Sequence, residues 1–151
     1  MHDRRPSNIL FMAGLASLAT SAAVSILARH ETGHTAAGLN ATSHILWGDR
    51  ASKVNDFDAK HTVAGALLNS GAMLSWALVH SLLPRANSVP AILTKGALVS
   101  ALAYVTDYHV VPKRLTPGFE KRLTTPSLAA VYGVLAASIA AADWFRRFRK
   151  R

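Results

Sequence analysis

The chain has 151 residues, half of them hydrophobic and only 17% charged, with a formal net charge of +9 and no cysteine. That length fits one domain, and the missing cysteines exclude disulfides and thiolate chemistry. There is no phosphate-binding glycine loop and no nucleophile elbow, and the basic residues form no soluble basic module, which argues against a nucleic-acid partner.

The apolar residues arrive in blocks, and four of these reach the roughly 20 residues that a bilayer crossing requires. The expected fold is all-α, an integral membrane bundle of four transmembrane helices forming a single domain over 1–151. The spans are placed at 8–28, 61–83, 89–111 and 126–145, with outer loops 29–60 and 112–125 carrying short interfacial helices. The first block follows Arg4 and Arg5 but is longer than the apolar region of a signal peptide, so it reads as an uncleaved helix. Ala13, Ser17, Ser21 and Ser25 recur along it at steps of four and make a smooth face for another helix.

Beyond this block stands "HETGH", in which His30, Glu31 and His34 fit HExxH. In a zinc hydrolase both histidines hold the metal from one helical face, and the glutamate acts as general base on the bound water. Gly33 weakens the helix this needs, and Ala37 and Asn40 stand where a metzincin would carry Gly and His. The reading preferred here is that the first helix runs past the bilayer edge and ends near Gly33 or Gly38, with these groups solvated at its tip. Zinc chemistry with Glu31 as the catalytic base remains the enzyme alternative, zinc then being the cofactor. The remaining ligand would come from His44 or His109, which share the outer side with His30 and His34.

Trp47 reads as an interfacial anchor, and Asp56 or Asp58 as the N-cap of the second span. Along that span His61, Gly65, Asn69, Ala72, Trp76 and His80 fall within one sector. Polar groups at this depth are costly unless they face the bundle, so the stripe is expected inside, bonding neighbouring helices or lining a cavity. A transporter or channel subunit is the second alternative that the stripe raises. In the third span Gly96, Ser100, Ala103 and Asp107 share a sector, and Lys95 is expected to snorkel to the interface.

"LTPGFEKRL" suggests a short helix capped by Thr116, with Phe119 and Leu123 turned down and Lys121 and Arg122 turned out. Thr125 and Pro126 start the last span, along which Ala129, Gly133, Ala137 and Ala141 repeat at steps of four. Such rows suit packing within the chain, in a homo-oligomer or in a larger membrane complex. The closing "RRFRKR" suits anionic lipid headgroups, which favours both termini on the cytoplasmic side of a bacterial inner membrane.

"NATSHILWGD" (Asn40 to Asp49) and "DYHVVPKRLTPGFE" (Asp107 to Glu120) resemble a pattern of uncharacterised small bacterial four-span inner-membrane proteins. The resemblance implies no activity. It fits Glu31 and Gly33 but not the flanking histidines, and it draws attention to Asn40, Ser43, His44, Trp47, Asp107, Arg114, Thr116, Pro117 and Glu120. The expectation is a non-catalytic membrane protein whose outer segments form a polar cap from Asn40, Ser43, His44, Trp47, Asp107, Arg114 and Glu120. That cap would serve structure or the recognition of a partner or lipid.

Overall fold

The computed structural model describes residues 5–148, all of whose regular elements are helical. In chain order these are α1 (Pro6–Thr32), α2 (Ala37–Thr42), α3 (His44–Trp47), α4 (Ala64–Leu82), α5 (Val89–Val105) and α6 (Thr125–Phe148). A π-helical turn at Ala59–Val63 leads into α4, and another at Thr106–Val110 extends α5. With these turns, four helices are long and apolar enough to cross a membrane: Pro6–Thr32, Ala59–Leu82, Val89–Val110 and Thr125–Arg147. The protein is a multi-pass membrane bundle, and its outward surface fits that solvent. Leu18, Ile26, Leu67, Leu82 and Leu93 all lie exposed on the long helices, where hydrocarbon satisfies them and water would not.

Local sequence sets the helix ends. Pro6 opens α1, since its missing N–H would have no partner in the first turn. Gly33 closes it in the left-handed conformation (φ 79°), its N–H bonded to the Arg29 carbonyl. Ser88 caps α5 by accepting from the Ala91 N–H, and Asp58 caps the entry to α4 by accepting from the Lys60 N–H at 2.8 Å.

Around the bundle α4 packs on α1, α1 on α6, and α6 on α5, whereas α4 and α5 touch only sparsely. The ring of helices therefore has a seam between α4 and α5. Two apolar clusters fill its interior. One, around Ala16, Val99, Leu135 and Ile139, lies toward the chain termini, and the other, around Val24, Ala28, Ala37 and Val131, lies beneath the outer segments.

The small-residue rows divide between inside and outside. On α1 the row meets α4, where Ser17 and Ser70 hydroxyls are 2.7 Å apart and Ser21 accepts from Asn69 at 3.0 Å. On α5 the row meets α6: Gly96 lies against the Ala136 carbonyl, and Ser100 donates to the Tyr132 carbonyl at 2.5 Å. The α6 row behaves differently, because Ala129, Gly133 and Ala137 face away from the chain and take no part in its packing. Lys95 also corrects its expectation. Rather than snorkelling, it is 7% exposed with a buried Nζ that has no hydrogen-bond partner. Arg4 of the N-terminal pair and Arg149, Lys150 and Arg151 of the basic tail lie outside the described residues.

Among the glycines the tightest fit is at Gly65, where α2 rests on α4. A Cβ there would stand 1.9 Å from the Leu39 carbonyl oxygen, a backbone atom that cannot step aside. Gly65→Ala is expected to cost about 3 kcal/mol, the upper range for an overpacked core. The readout is a lower thermal midpoint in detergent, and an unchanged midpoint would show that α2 does not sit on α4.

Candidate functional site

The two outer segments fold back over the helix ends, held mainly by side chains bonded to backbone. Asn40, fully buried, donates through Nδ2 to the Val54 carbonyl (3.0 Å) and the Asp56 carbonyl (2.9 Å), while its Oδ1 accepts from Thr62 Oγ1 at 2.6 Å. One amide thus ties α2 to the loop and to the start of α4. Ser43 donates to the Asn40 carbonyl at 2.6 Å. His44, also buried, donates from Nδ1 to the Ala41 carbonyl at 2.8 Å, and its Nε2 faces the Lys113 carbonyl at 3.4 Å. Arg114 Nε returns the link by donating to the Ile45 carbonyl at 3.3 Å. Thr116 donates to Glu120 at 3.0 Å, and Phe119 and Leu123 turn into the core. Trp47 is half-exposed, with the Lys60 ammonium 4.5 Å above its ring.

The cap residues therefore occupy one region, and most of their bonds run to backbone carbonyls of the two outer segments. Asp107 points down instead, accepting from Tyr132 Oη at 2.6 Å. Two exposed ties link the segments further, Lys121 to Asp49 at 2.5 Å and Arg122 to Asn55. The Lys121 hydrogen bond holds the Asp49 carboxyl below its ordinary range.

At HETGH the helix stops at Thr32, so His30 and His34 do not stand one turn apart on a helical face. His30 is exposed, and His34 donates from Nδ1 to Asp56 at 3.2 Å. Glu31 reaches across to α6, accepting from the Thr124 N–H (2.7 Å), the Thr124 hydroxyl (2.7 Å) and the Ser127 hydroxyl. Its carboxylate thereby acts as a helix cap delivered from another helix, neutralising donors that α6 leaves unpaired. His109 is exposed and edges against Tyr104, far in role from buried His44. Among the described residues no three His, Asp or Glu side chains are grouped so as to hold a metal ion.

Beneath the cap lies a cavity of about 100 Å3. Its walls are Leu68, Asn69, Ala72 and Met73 of α4, Val131, Tyr132 and Leu135 of α6, and Thr20 of α1. Thr42, Ile45, Leu115, Pro117 and Phe119 roof it. The α5 span contributes only Asp107, from its terminal π turn, so the side facing the α4–α5 seam has little wall. Tyr104 and Tyr108 each pack edge to face on Tyr132 and lie tilted against one another, with centroids 5.3 to 6.0 Å apart, between α5 and α6.

The polar groups in this cavity are few and specific. Asn69 Nδ2 donates to Thr20 Oγ1 (3.1 Å) and Ser21 Oγ (3.0 Å), which uses both amide hydrogens on α1 and leaves the carbonyl oxygen. Thr42 Oγ1 is buried without a hydrogen-bond partner. An unsatisfied buried hydroxyl costs about 1–3 kcal/mol. Neither Thr42 nor Tyr132 stands out in the sequence, because their placement depends on the roof and on α6 closing round the same space.

The stripe on α4 has three environments. His61 Nδ1 donates to Asp58 at 2.6 Å at the outer end, Asn69 reaches the cavity, and Trp76 packs against the lower core. His80 meets a carboxylate of α6. Its Nε2 donates to Asp143 Oδ2 at 2.9 Å, both side chains almost wholly buried, and Arg146 donates to the other oxygen at 2.8 Å. A crevice of about 20 Å3, room for one water, adjoins this group between Asn8, His80, Ser81 and Arg146.

No family model, curated protein or solved structure matches the chain.

Two tests separate capping from metal ligation at Glu31. Glu31→Ala is expected to destabilise the protein by about 1–2 kcal/mol, the cost of a lost helix cap. The His30→Ala/His34→Ala pair is expected to leave the thermal midpoint within about 0.5 kcal/mol, as exposed substitutions do. A larger loss from the histidine pair than from Glu31 would reverse the assignment. At Asp58 the hydrogen bond from His61 holds the carboxyl below its ordinary value of 3.8. A depressed acid stabilises the fold above its unfolded value and loses that contribution as pH falls through the folded one. Asp58→Asn should flatten the acid limb of a melting-midpoint profile below about pH 4, and an unaltered limb would refute the link.

Proposed function

We propose that this is a non-catalytic protein of the bacterial inner membrane that holds a small amphiphile, drawn from the bilayer, in the cavity beneath its outer cap. The observation that carries this reading is the cavity itself: largely apolar walls, a few polar atoms, and one of those, the Thr42 hydroxyl, buried without a partner. Apolar concavities with a small number of directed polar groups are the usual form of a ligand site. The weakly packed α4–α5 seam supports entry from the side, out of the hydrocarbon. Binding rather than chemistry is supported by Glu31, whose oxygens are engaged by Thr124 and Ser127.

The proposal places both termini in the cytoplasm. Arg85 lies on the same side as Arg146 and Arg147, and the tail adds further positive charge that would meet anionic headgroups of the inner leaflet. Arg147 donates to the Asn87 carbonyl and so holds the end of α6 against the α4–α5 connection. The polar cap then faces outward, as a rigid roof over the ligand.

Ala72 lies on the cavity wall, and a larger side chain there fills the space. A photoactivatable, lipid-soluble probe should label the wild-type protein at the cavity walls, with adducts mapped by mass spectrometry to peptides containing Leu68 or Leu115. Ala72→Phe protein with an unchanged melting point should lose that labelling. Equal labelling of the two proteins at these peptides would end the proposal.

A further inference from the structure

Resting on that reading, we infer that the occupant carries a head group that donates hydrogen bonds and bears no negative charge, an alcohol or an amine at the end of an apolar chain. The polar side chains of the cavity lining that keep unused hydrogen-bonding capacity are chiefly acceptors. Asn69 has spent both amide hydrogens on Thr20 and Ser21, so only its carbonyl oxygen remains. Asp107 accepts from Tyr132 through one oxygen and keeps the other. Thr42 Oγ1 can accept, and it can also donate to a ligand oxygen or nitrogen. A donor head is therefore the complement of these groups, whereas a head with acceptors alone finds a single hydroxyl to meet it.

Charge points the same way. Among the described residues no Lys, Arg or His lines the cavity, and Glu120 beside the roof stands within electrostatic reach of Asp107. A carboxylate or phosphate entering this space would be desolvated beside a carboxyl group with no cation to offset it. Size adds a further limit. About 100 Å3 is smaller than the roughly 150 Å3 apolar cavity that accepts benzene, so it takes a compact head and its first few carbons. The rest of the chain would extend through the α4–α5 seam into the bilayer, where Leu102 and Val105 already face hydrocarbon.

The test is competition against the photoactivatable probe in nanodiscs of zwitterionic phospholipid. The competitors are a long-chain alcohol, the amine, the fatty acid and the parent alkane of equal length. Alcohol or amine should displace the probe about ten-fold better than acid or alkane, the factor expected for one well-placed hydrogen bond in a dry site. Thr42→Val removes the unpartnered hydroxyl without changing its shape. It should leave the melting point level or higher and weaken alcohol or amine competition about ten-fold, with the alkane unaffected. Asp107→Asn separates the two head groups, since it should abolish an advantage of the amine while sparing that of the alcohol. Equal competition by acid or alkane, or an unaltered preference in Thr42→Val, overturns the head-group assignment. Absence of any cavity labelling overturns instead the proposed function on which it rests.

Discussion

The cap over the helix ends depends on one buried amide. Asn40 has no exposed surface, and its three hydrogen bonds go to Val54, Asp56 and Thr62, points spread along the second half of the first outer segment and into the next span. A polar group so deeply buried is costly unless its donors and acceptor are met, and here all are met by chain that would otherwise be free to leave. The connection between α1 and α4 is thereby fixed against the helix ends instead of hanging in water. Gly65 makes the same arrangement sterically close, since α2 lies where any side chain on α4 would intrude.

From this anchoring the cavity follows. With α2 held down, Thr42 is carried over the gap between α4 and α6, and the second outer segment closes beside it through His44, Lys113, Arg114 and Ile45. Glu31 adds the link from α1 to the start of α6, which sets the height of Tyr132 and so of Asp107. Nearly every polar group in the cap is spent on holding backbone. The Thr42 hydroxyl is different: Thr42 lines the cavity, and its buried oxygen has no hydrogen-bond partner.

The opposite end of the bundle solves another problem with the same economy of partners. Asp143 would be prohibitive alone in the bilayer, and it is met on one oxygen by His80 and on the other by Arg146. Removal of either partner would strip one buried carboxylate oxygen of its donor. Lys95 is the contrast, a buried amine lacking a hydrogen bond although Asp143 lies within electrostatic reach. The reasoning that sends a lysine to the interface considers one helix in lipid, and here α5 is pressed against α6 so that the side chain is enclosed.

The sequence by itself determined the class, the four spans and most of their ends, because hydropathy, proline at a helix start, glycine at a helix end and an aspartate cap are properties of a few neighbouring residues. The inward stripe on α4 was legible for the same reason at Asn69 and His80, as was the termination of α1 at Gly33. What only the tertiary structure decided was which groups meet. Glu31 and Ser127 are 96 positions apart, His80 and Asp143 are 63, and Arg114 and Ile45 are 69. Spacing on one helix carries no information about a partner on another, so HExxH read first as a solvated helix tip and alternatively as a ligand pair, while its glutamate belonged to a distant helix terminus. The small-residue rows show the same limit. All three have the pattern that permits close packing, and only the closing of the bundle placed those on α1 and α5 inside and left Ala129, Gly133 and Ala137 of α6 exposed.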